Sequence, residues 1–153
     1  MEKTSGVFSI FKGTGAAKFS IMWPQRGNPR TLKNGKQAEG FITKNGGVLL
    51  EAAPAVGKRP DGLPLYDWEQ KITFGIGVPD IVKLLDPKTQ KLIHQNGDVT
   101  KSLSFQPGAG KYAGTYKLFL SANGKSVFVP LDAGEFTALQ RLLVGVMPKL
   151  MAW

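Results

Sequence analysis

The chain has 153 residues, 42% of them hydrophobic and 20% charged, which fits one folded domain over residues 1–153 and excludes wholesale disorder. Twenty Lys and Arg against 11 Asp and Glu give a formal charge of +9, which points to nucleic acid or another anionic partner, although a merely soluble basic protein carries the same excess. The absence of cysteine excludes disulfides, thiolate metal sites and cysteine nucleophiles.

No run of about 18 apolar residues is free of Gly, Pro and charge, so no membrane partner is expected. Residues 1–6 lack the apolar core of a secretory signal and the Arg-rich stretch of an organellar one. The expected compartment is the cytoplasm, or an organelle if a transit peptide was removed.

Most of the chain reads as strands. Val7–Lys12 and Ala16–Trp23 flank Gly13-Thr-Gly15, a hairpin signal. Pro24 to Gln37 reads as a loop carrying Arg26, Arg30, Lys33 and Lys36. Gly40–Thr43 and Val48–Ala53 straddle Asn45-Gly46, the strongest short hairpin cue in the chain, and Val56–Pro64 follows as a Gly/Pro-rich loop. From Asp67 the pattern alternates, with Ile72, Phe74, Ile76 and Val78 on one face and Lys71, Thr73, Gly75 and Gly77 on the other. Pro79 and Asp80 open a short helix through Leu85.

The second half repeats this order. Leu92–Gln95, Ser102–Gln106, Tyr112–Ser121 and Ser126–Leu131 are strands, Asn123-Gly124 turns the last hairpin, and a long helix follows. The plan predicts an α+β fold: two packed four-stranded antiparallel β-sheets, each followed by a helix.

That last helix opens on Asp132-Ala-Gly-Glu135, a capping-box spacing with Asp in place of Ser or Thr. Phe136, Leu139, Leu143, Val146 and Leu150 recur at helical spacing, Leu142, Val144, Met147 and Met151 fill the flanks, and only Arg141 and Lys149 are charged after the cap. A helix apolar nearly all round must be buried nearly all round. The expectation is an oligomer core in which Phe136, Leu139, Leu143, Val146, Met147 and Leu150 meet copies of themselves.

Catalysis has little to work with. His94 has no acidic or nucleophilic neighbour in sequence, the carboxylates are scattered singly, and Gly108-Ala-Gly110-Lys111 lacks the phosphate-loop spacing and reads as a hairpin turn. No enzyme, cofactor, metal or small-molecule substrate is expected. Binding chemistry is better supplied, because single-stranded nucleic acid is held by cations along its phosphates and aromatics under its bases. Lys12 and Lys18 flank the first hairpin with Phe11 and Phe19 beside them, Lys33 and Lys36 lie in the loop, and Lys71 follows Trp68 by three residues. Lys101, Lys111, Tyr112, Lys117, Phe119 and Lys125 continue the set, with Lys117 and Phe119 two apart on one strand face and Tyr116, Leu118 and Leu120 on the other. The competing reading is that the lysines solvate outer faces while the aromatics fill the core.

Four segments carry a resemblance. They are Phe8-Ser-Ile-Phe-Lys-Gly-Thr-Gly-Ala-Ala17, Gly47-Val-Leu-Leu-Glu-Ala-Ala-Pro-Ala-Val-Gly57, Tyr66-Asp-Trp-Glu-Gln-Lys71, and the pair Val129–Leu139 and Met147–Trp153. In order over nearly the whole chain, they resemble the Whirly family: its Lys-Gly-Asn-Lys-Ala-Ala type hairpin, its Ala-Pro-x-x-Gly element, its Tyr-Asp-Trp-x-x-Lys strand and its proline-interrupted C-terminal helix–turn–helix. The resemblance implies a homotetramer joined through the helices, and sequence-independent binding of single-stranded DNA along the sheets, in repair, recombination, replication or transcription. It carries over to Lys12, Tyr66, Asp67, Trp68 and Lys71, with Asp67 expected to hold its loop. Gly15 stands where the hairpin signature has its second lysine, a position tied to higher-order assembly, and the shorter second half suggests a compact relative of bacterial or viral type. The alternatives are an RNA-binding protein of related fold and a basic scaffold or inhibitor that docks an acidic protein.

Overall fold

Neighbouring side chains on a strand point to opposite faces, so each run of alternating apolar residues marks one buried face. The computed structural model describes residues 6–89 and 91–153. Strands β1 (Val7–Phe11) and β2 (Gly15–Met22) form the first hairpin, and β3 (Gln25–Arg26), β4 (Arg30–Thr31), β5 (Gln37–Ala38) and β6 (Ile42–Lys44) follow as short ribbons. Strands β7 (Gly47–Lys58), β8 (Pro64–Tyr66) and β9 (Ile72–Gly77) and helix α1 (Val78–Leu85) complete the first half. The second half holds β10 (Leu92–Asn96), β11 (Val99–Pro107), β12 (Tyr116–Ala122), β13 (Lys125–Leu131) and helix α2 (Ala133–Leu150).

The first sheet runs β1-β2-β7-β9, with β8 pairing the far end of β7, and the second runs β10-β11-β12-β13; every pair is antiparallel. Inner rows Ile10–Ala17–Ala52–Ile72 and Phe8–Phe19–Leu50–Phe74 cross the first sheet. Leu92–Leu103–Leu120–Val127 crosses the second. All of these except half-buried Phe8 lie in one core. The expected α+β plan of two four-stranded sheets, each followed by a helix, holds. The last hairpin turns at Asn123 and Gly124, both with positive φ (46° and 82°), the geometry an Asn-Gly turn favours.

Helix α2 starts where the sequence placed its cap. Asp132 Oδ1 accepts the Glu135 N–H at 2.7 Å, and Glu135 Oε1 accepts the Asp132 N–H at 3.0 Å, a reciprocal capping box. Its apolar stripe differs from the expectation. Leu139, Leu143 and Leu150 are buried within the protomer, and Phe136, Val146 and Met147 pack partly buried on the same core. The reason is that one helix covers both sheets. Phe136 stacks on Tyr116 of the second sheet at 3.7 Å, whereas Leu139, Leu143 and Val146 share a groove with Phe8, Ile21 and Val48 of the first. What this leaves exposed is Leu142, Val144, Met151 and Trp153. Pro148 lies in the last turn of a continuous helix, and Trp153 N–H donates to its carbonyl at 2.8 Å, so one helix and a turn stand where a helix–turn–helix was expected.

Three local expectations fail. Asn45-Gly46 turns no hairpin, because both edges of β7 are taken by β2 and β9 while β6 pairs with β3. The segment read as a loop from Pro24 is instead an arm of two ribbons, β3–β6 and β4–β5. The loop at Val56–Pro64 is likewise shorter than expected, since β7 runs on to Lys58 and pairs with β8.

Candidate nucleic-acid interface

Lys18 and Phe19 are adjacent on β2 and therefore face opposite ways. Phe19 is 4% exposed, in the core, and offers no surface to a base. Lys18 lies on the outer face, opposite Ser9 on β1 and Glu51 on β7. The aromatic that shares this outer face is Phe11, 60% exposed, its ring 5.8 Å from that of Tyr66. Tyr66 Oη donates to the Lys12 carbonyl at 2.7 Å and fixes the hairpin against β8. Phe11, Lys12, Arg59, Leu65, Tyr66 and Trp68 thereby line an open depression of about 540 Å³.

The outer face of the second sheet is a second aromatic surface. Leu118, Leu120, Val127 and Val129 point into the core, so Lys117, Phe119 and Phe128 point out. Phe119 and Phe128 are register partners, buried Ser104 continues their row, and Ser121 and Ser126, with buried Ser102, form the next one. Lys117 Nζ sits 5.4 Å from the centre of the Phe128 ring. At the end of the sheet, the turn Gly110–Tyr112 places Lys111 Nζ 5.1 Å from the Tyr112 ring. Aromatic faces, ammonium groups and hydroxyls in one plane are what stacking of bases and neutralising of phosphates require.

The first hairpin joins the two surfaces. Thr14 Oγ1 donates to the Phe128 carbonyl at 3.0 Å. A Cβ on Gly15 would stand 3.0 Å from the Ala53 carbonyl and Val127 Cγ1 and 3.1 Å from the Phe128 carbonyl, tighter than an ordinary contact, so a larger residue here would press β2 away from β13. The same hairpin lines the depression on one side and grips the platform strand on the other.

A family model described as "Whirly transcription factor" matches residues 10–142. The chain belongs to the Whirly family. It is 29% identical to the chloroplastic single-stranded DNA-binding protein WHY1 of Zea mays, an alignment covering 95% of this chain and 56% of that protein. It is 31% identical to the chloroplastic single-stranded DNA-binding protein WHY3 of Arabidopsis thaliana, over 73% of this chain and 46% of that one. The chain thus spans about half the length of the curated relatives it matches. The crystal structure of WHY3 from Arabidopsis thaliana superposes with a TM-score of 0.74 at 26% identity, covering 100% of this chain and 92% of that one. The plant transcriptional regulator PBF-2 gives 0.75 at 25% identity, with 100% and 86% covered.

Within this Whirly chain the two signature lysines are paired. Lys12 Nζ meets Glu135 Oε1 at 2.7 Å, and Lys71 Nζ pairs with Glu51. Asp67 Oδ1 accepts the Glu69 N–H at 3.2 Å and caps the turn Trp68–Gln70, the loop-holding role expected of it. Lys101 departs from the expected surface. His94, Lys101, Ala122 and Lys125 form a row on the inward-facing side of the second sheet, at its open end. Lys101 Nζ therefore donates to Thr73 O at 2.7 Å and to Thr73 Oγ1 at 3.1 Å, tying one sheet to the other, while Lys125 Nζ donates to Gln70 Oε1, in the turn Trp68–Gln70, at 2.8 Å. Lys33 and Lys36 stand on the arm, off both sheets. His94 has the acidic partner its sequence neighbourhood lacked: helix α1 brings Asp80 Oδ2 to 2.9 Å from Nε2, and the ring stacks on Phe74 at 4.2 Å.

At the head of α2, the backbone N–H of Glu135, with a smaller contribution from Lys12, holds the Asp132 carboxyl below its ordinary value of 3.8. Among the described residues no three His, Asp or Glu side chains gather as a metal site, and no helix is long and apolar enough to cross a membrane. Sequence reasoning found Phe11 beside Lys12 but missed Phe128, Phe41 and Arg59. Strand parity was the available signal for Phe128, since it alternates with Val127 and Val129, which point inward.

Proposed function

We propose that the chain binds single-stranded DNA, as the names of its relatives say of them, that it does so without sequence specificity, and that it serves DNA replication, recombination, repair or transcription. The observation that carries this reading is a pair of cation–aromatic surfaces, Lys117, Phe119 and Phe128 on the second sheet and Phe11, Tyr66 and Trp68 around the depression, with the first hairpin between them where Thr14 holds the Phe128 carbonyl. Every base has a face to stack, so aromatic contacts of this kind tolerate any sequence, and a duplex keeps those faces to itself.

A homotetramer formed through α2 is the proposed assembly, supported by half-exposed Leu142 and Val144 on a helix whose buried stripe already serves its own protomer. Binding rather than catalysis is proposed because what the two surfaces expose is cations and aromatics, Lys117, Phe128, Phe11 and Trp68. The cytoplasm is the proposed compartment and an organelle the alternative, which a fluorescent fusion would separate.

The experiment is a fluorescence-anisotropy titration with a thymine oligonucleotide, the corresponding duplex and a uracil RNA at several salt concentrations. Tighter binding of the single DNA strand, with log K falling by about 0.7 per neutralised phosphate against log salt, supports the reading. Equal or tighter duplex binding refutes it, and preference for the RNA moves the assignment to RNA.

A further inference from the structure

The basic arm between β2 and β7 is built more firmly than a solvated loop. Its tip is a tight turn in which Leu32 N–H donates to the Lys36 carbonyl at 2.8 Å and Gly35, at φ 79°, donates back to Leu32 at 2.9 Å. At its waist a Cβ on Gly40 would fall on the Gly27 carbonyl, so the two chains cross at closest approach. Arg26 Nη1 donates to the Gly40 carbonyl and Arg30 Nε to the Glu39 carbonyl, each at 3.0 Å. Lys33, Lys36 and Lys44 are exposed, and no acidic side chain among the described residues pairs with them. Phe41 is 69% exposed, with the Arg30 guanidinium 3.9 Å from its ring centre.

Charge alone has a simpler use, since lysines on short exposed strands prevent edge-to-edge aggregation. Edge protection does not call for an exposed phenylalanine under an arginine. That pair is a flat, cationic stacking platform of the kind that takes a nucleobase.

We propose that the arm is a second nucleic-acid contact, separate from the sheets, in which Lys33, Lys36 and Lys44 neutralise phosphates of a single strand and the Arg30–Phe41 stack receives one of its bases. The inference rests on the single-stranded DNA reading above. It assigns a role to a segment that packs on neither sheet through strand pairing and that the sheet surface does not use.

The test compares the wild-type chain with a Lys33→Gln/Lys36→Gln/Lys44→Gln variant and with Phe41→Ala, titrating a thymine oligonucleotide across a salt series and recording melting curves. The triple variant is expected to lower the slope of log K against log salt by roughly 2, because each lysine neutralises one phosphate worth about 0.7. Phe41→Ala is expected to weaken binding at least ~5-fold with the slope kept, the lower end of what a stacked base contributes. Unchanged melting temperatures would show that neither change acts through the fold. A wild-type slope retained in the triple variant overturns the arm proposal while the sheet reading stands. A wild-type chain that fails to bind the oligonucleotide at low salt overturns both.

Discussion

Two phenylalanines of the first hairpin separate packing from binding. Phe19 is 4% exposed, inside the row Phe8–Phe19–Leu50–Phe74, so Phe19→Ala opens a cavity between sheet and helix α2 and should cost about 3–5 kcal/mol of stability. Phe11 keeps 60% of its surface in water and touches Tyr66 at 5.8 Å. Since full burial of a phenylalanine contributes about 1.5–3 kcal/mol, Phe11→Ala should cost about 1 kcal/mol. The order reverses for DNA. A base stacked on Phe11 contributes about 1–3 kcal/mol, a loss of ~5- to ~150-fold in affinity on removal. Phe19→Ala, measured below its melting transition, should bind within about threefold of wild type, less than any stacking loss of that size. Thermal melts and anisotropy titrations on a thymine oligonucleotide read the two quantities on the same samples. If Phe19→Ala, still folded, loses as much affinity as Phe11→Ala, the division of the hairpin into an inner and an outer face is wrong.

Three further outcomes follow from the hairpin and the helix it touches. Glu135→Gln keeps a side-chain oxygen for the Asp132 N–H but removes the charge that meets Lys12 at 2.7 Å. Affinity should rise and the salt slope steepen by up to about 0.7; an unchanged slope would mean that Lys12 is not drawn on by phosphate. Gly15→Ala places a methyl 3.0 Å from the Ala53 carbonyl and Val127 Cγ1, and should destabilise by about 1–3 kcal/mol, lowering Tm by roughly 2–4 °C for each kcal/mol. An unchanged Tm would show that β2 does not seat on β13 as described. Asp132 has a folded-state pKa below its ordinary 3.8, so the stability its cap contributes is present above that value and is lost as pH falls through the folded value. Wild type should therefore lose Tm more steeply than Asp132→Asn below about pH 4, and parallel curves would contradict the capping role.

The parts of the fold legible in the sequence were those where period decides geometry. Ile72, Phe74 and Ile76 announced an inner face, Asn123-Gly124 a turn with two positive φ angles, and Asp132 with Glu135 a helix cap. Asn45-Gly46 misled because a hairpin signal is local, whereas β7 is claimed on both edges by strands distant in the chain. The buried stripe of α2 misled for a related reason. Apolar residues all round a helix demand cover, and pattern does not say whether the cover is another copy or the protein's own two sheets.

The site divided in the same way. Lys117 and Phe119 were legible together because residues two apart share a face, and Leu118 and Leu120 fixed which face was inner. Phe19 was placed on the surface by its nearness to Lys18, which in a strand is the reason it cannot be there. Lys101 looked like any surface lysine, and only the register His94–Lys101–Ala122–Lys125 shows that it reaches across to Thr73. The charges that neutralise Lys12 and Lys71 come from residues far along the chain, Glu135 and Glu51, so no spacing rule could announce them.

The central claim is that a single strand lies on one surface made of the second sheet's outer face and the depression beside the first hairpin. Ultraviolet cross-linking to a thymine oligonucleotide, with the adducts mapped by mass spectrometry, tests it most directly. Adducts are predicted on Phe119 and Phe128 and on Phe11, Tyr66 and Trp68. Adducts confined to helix α2 or to the β10 edge, with those five residues unmodified, would contradict it.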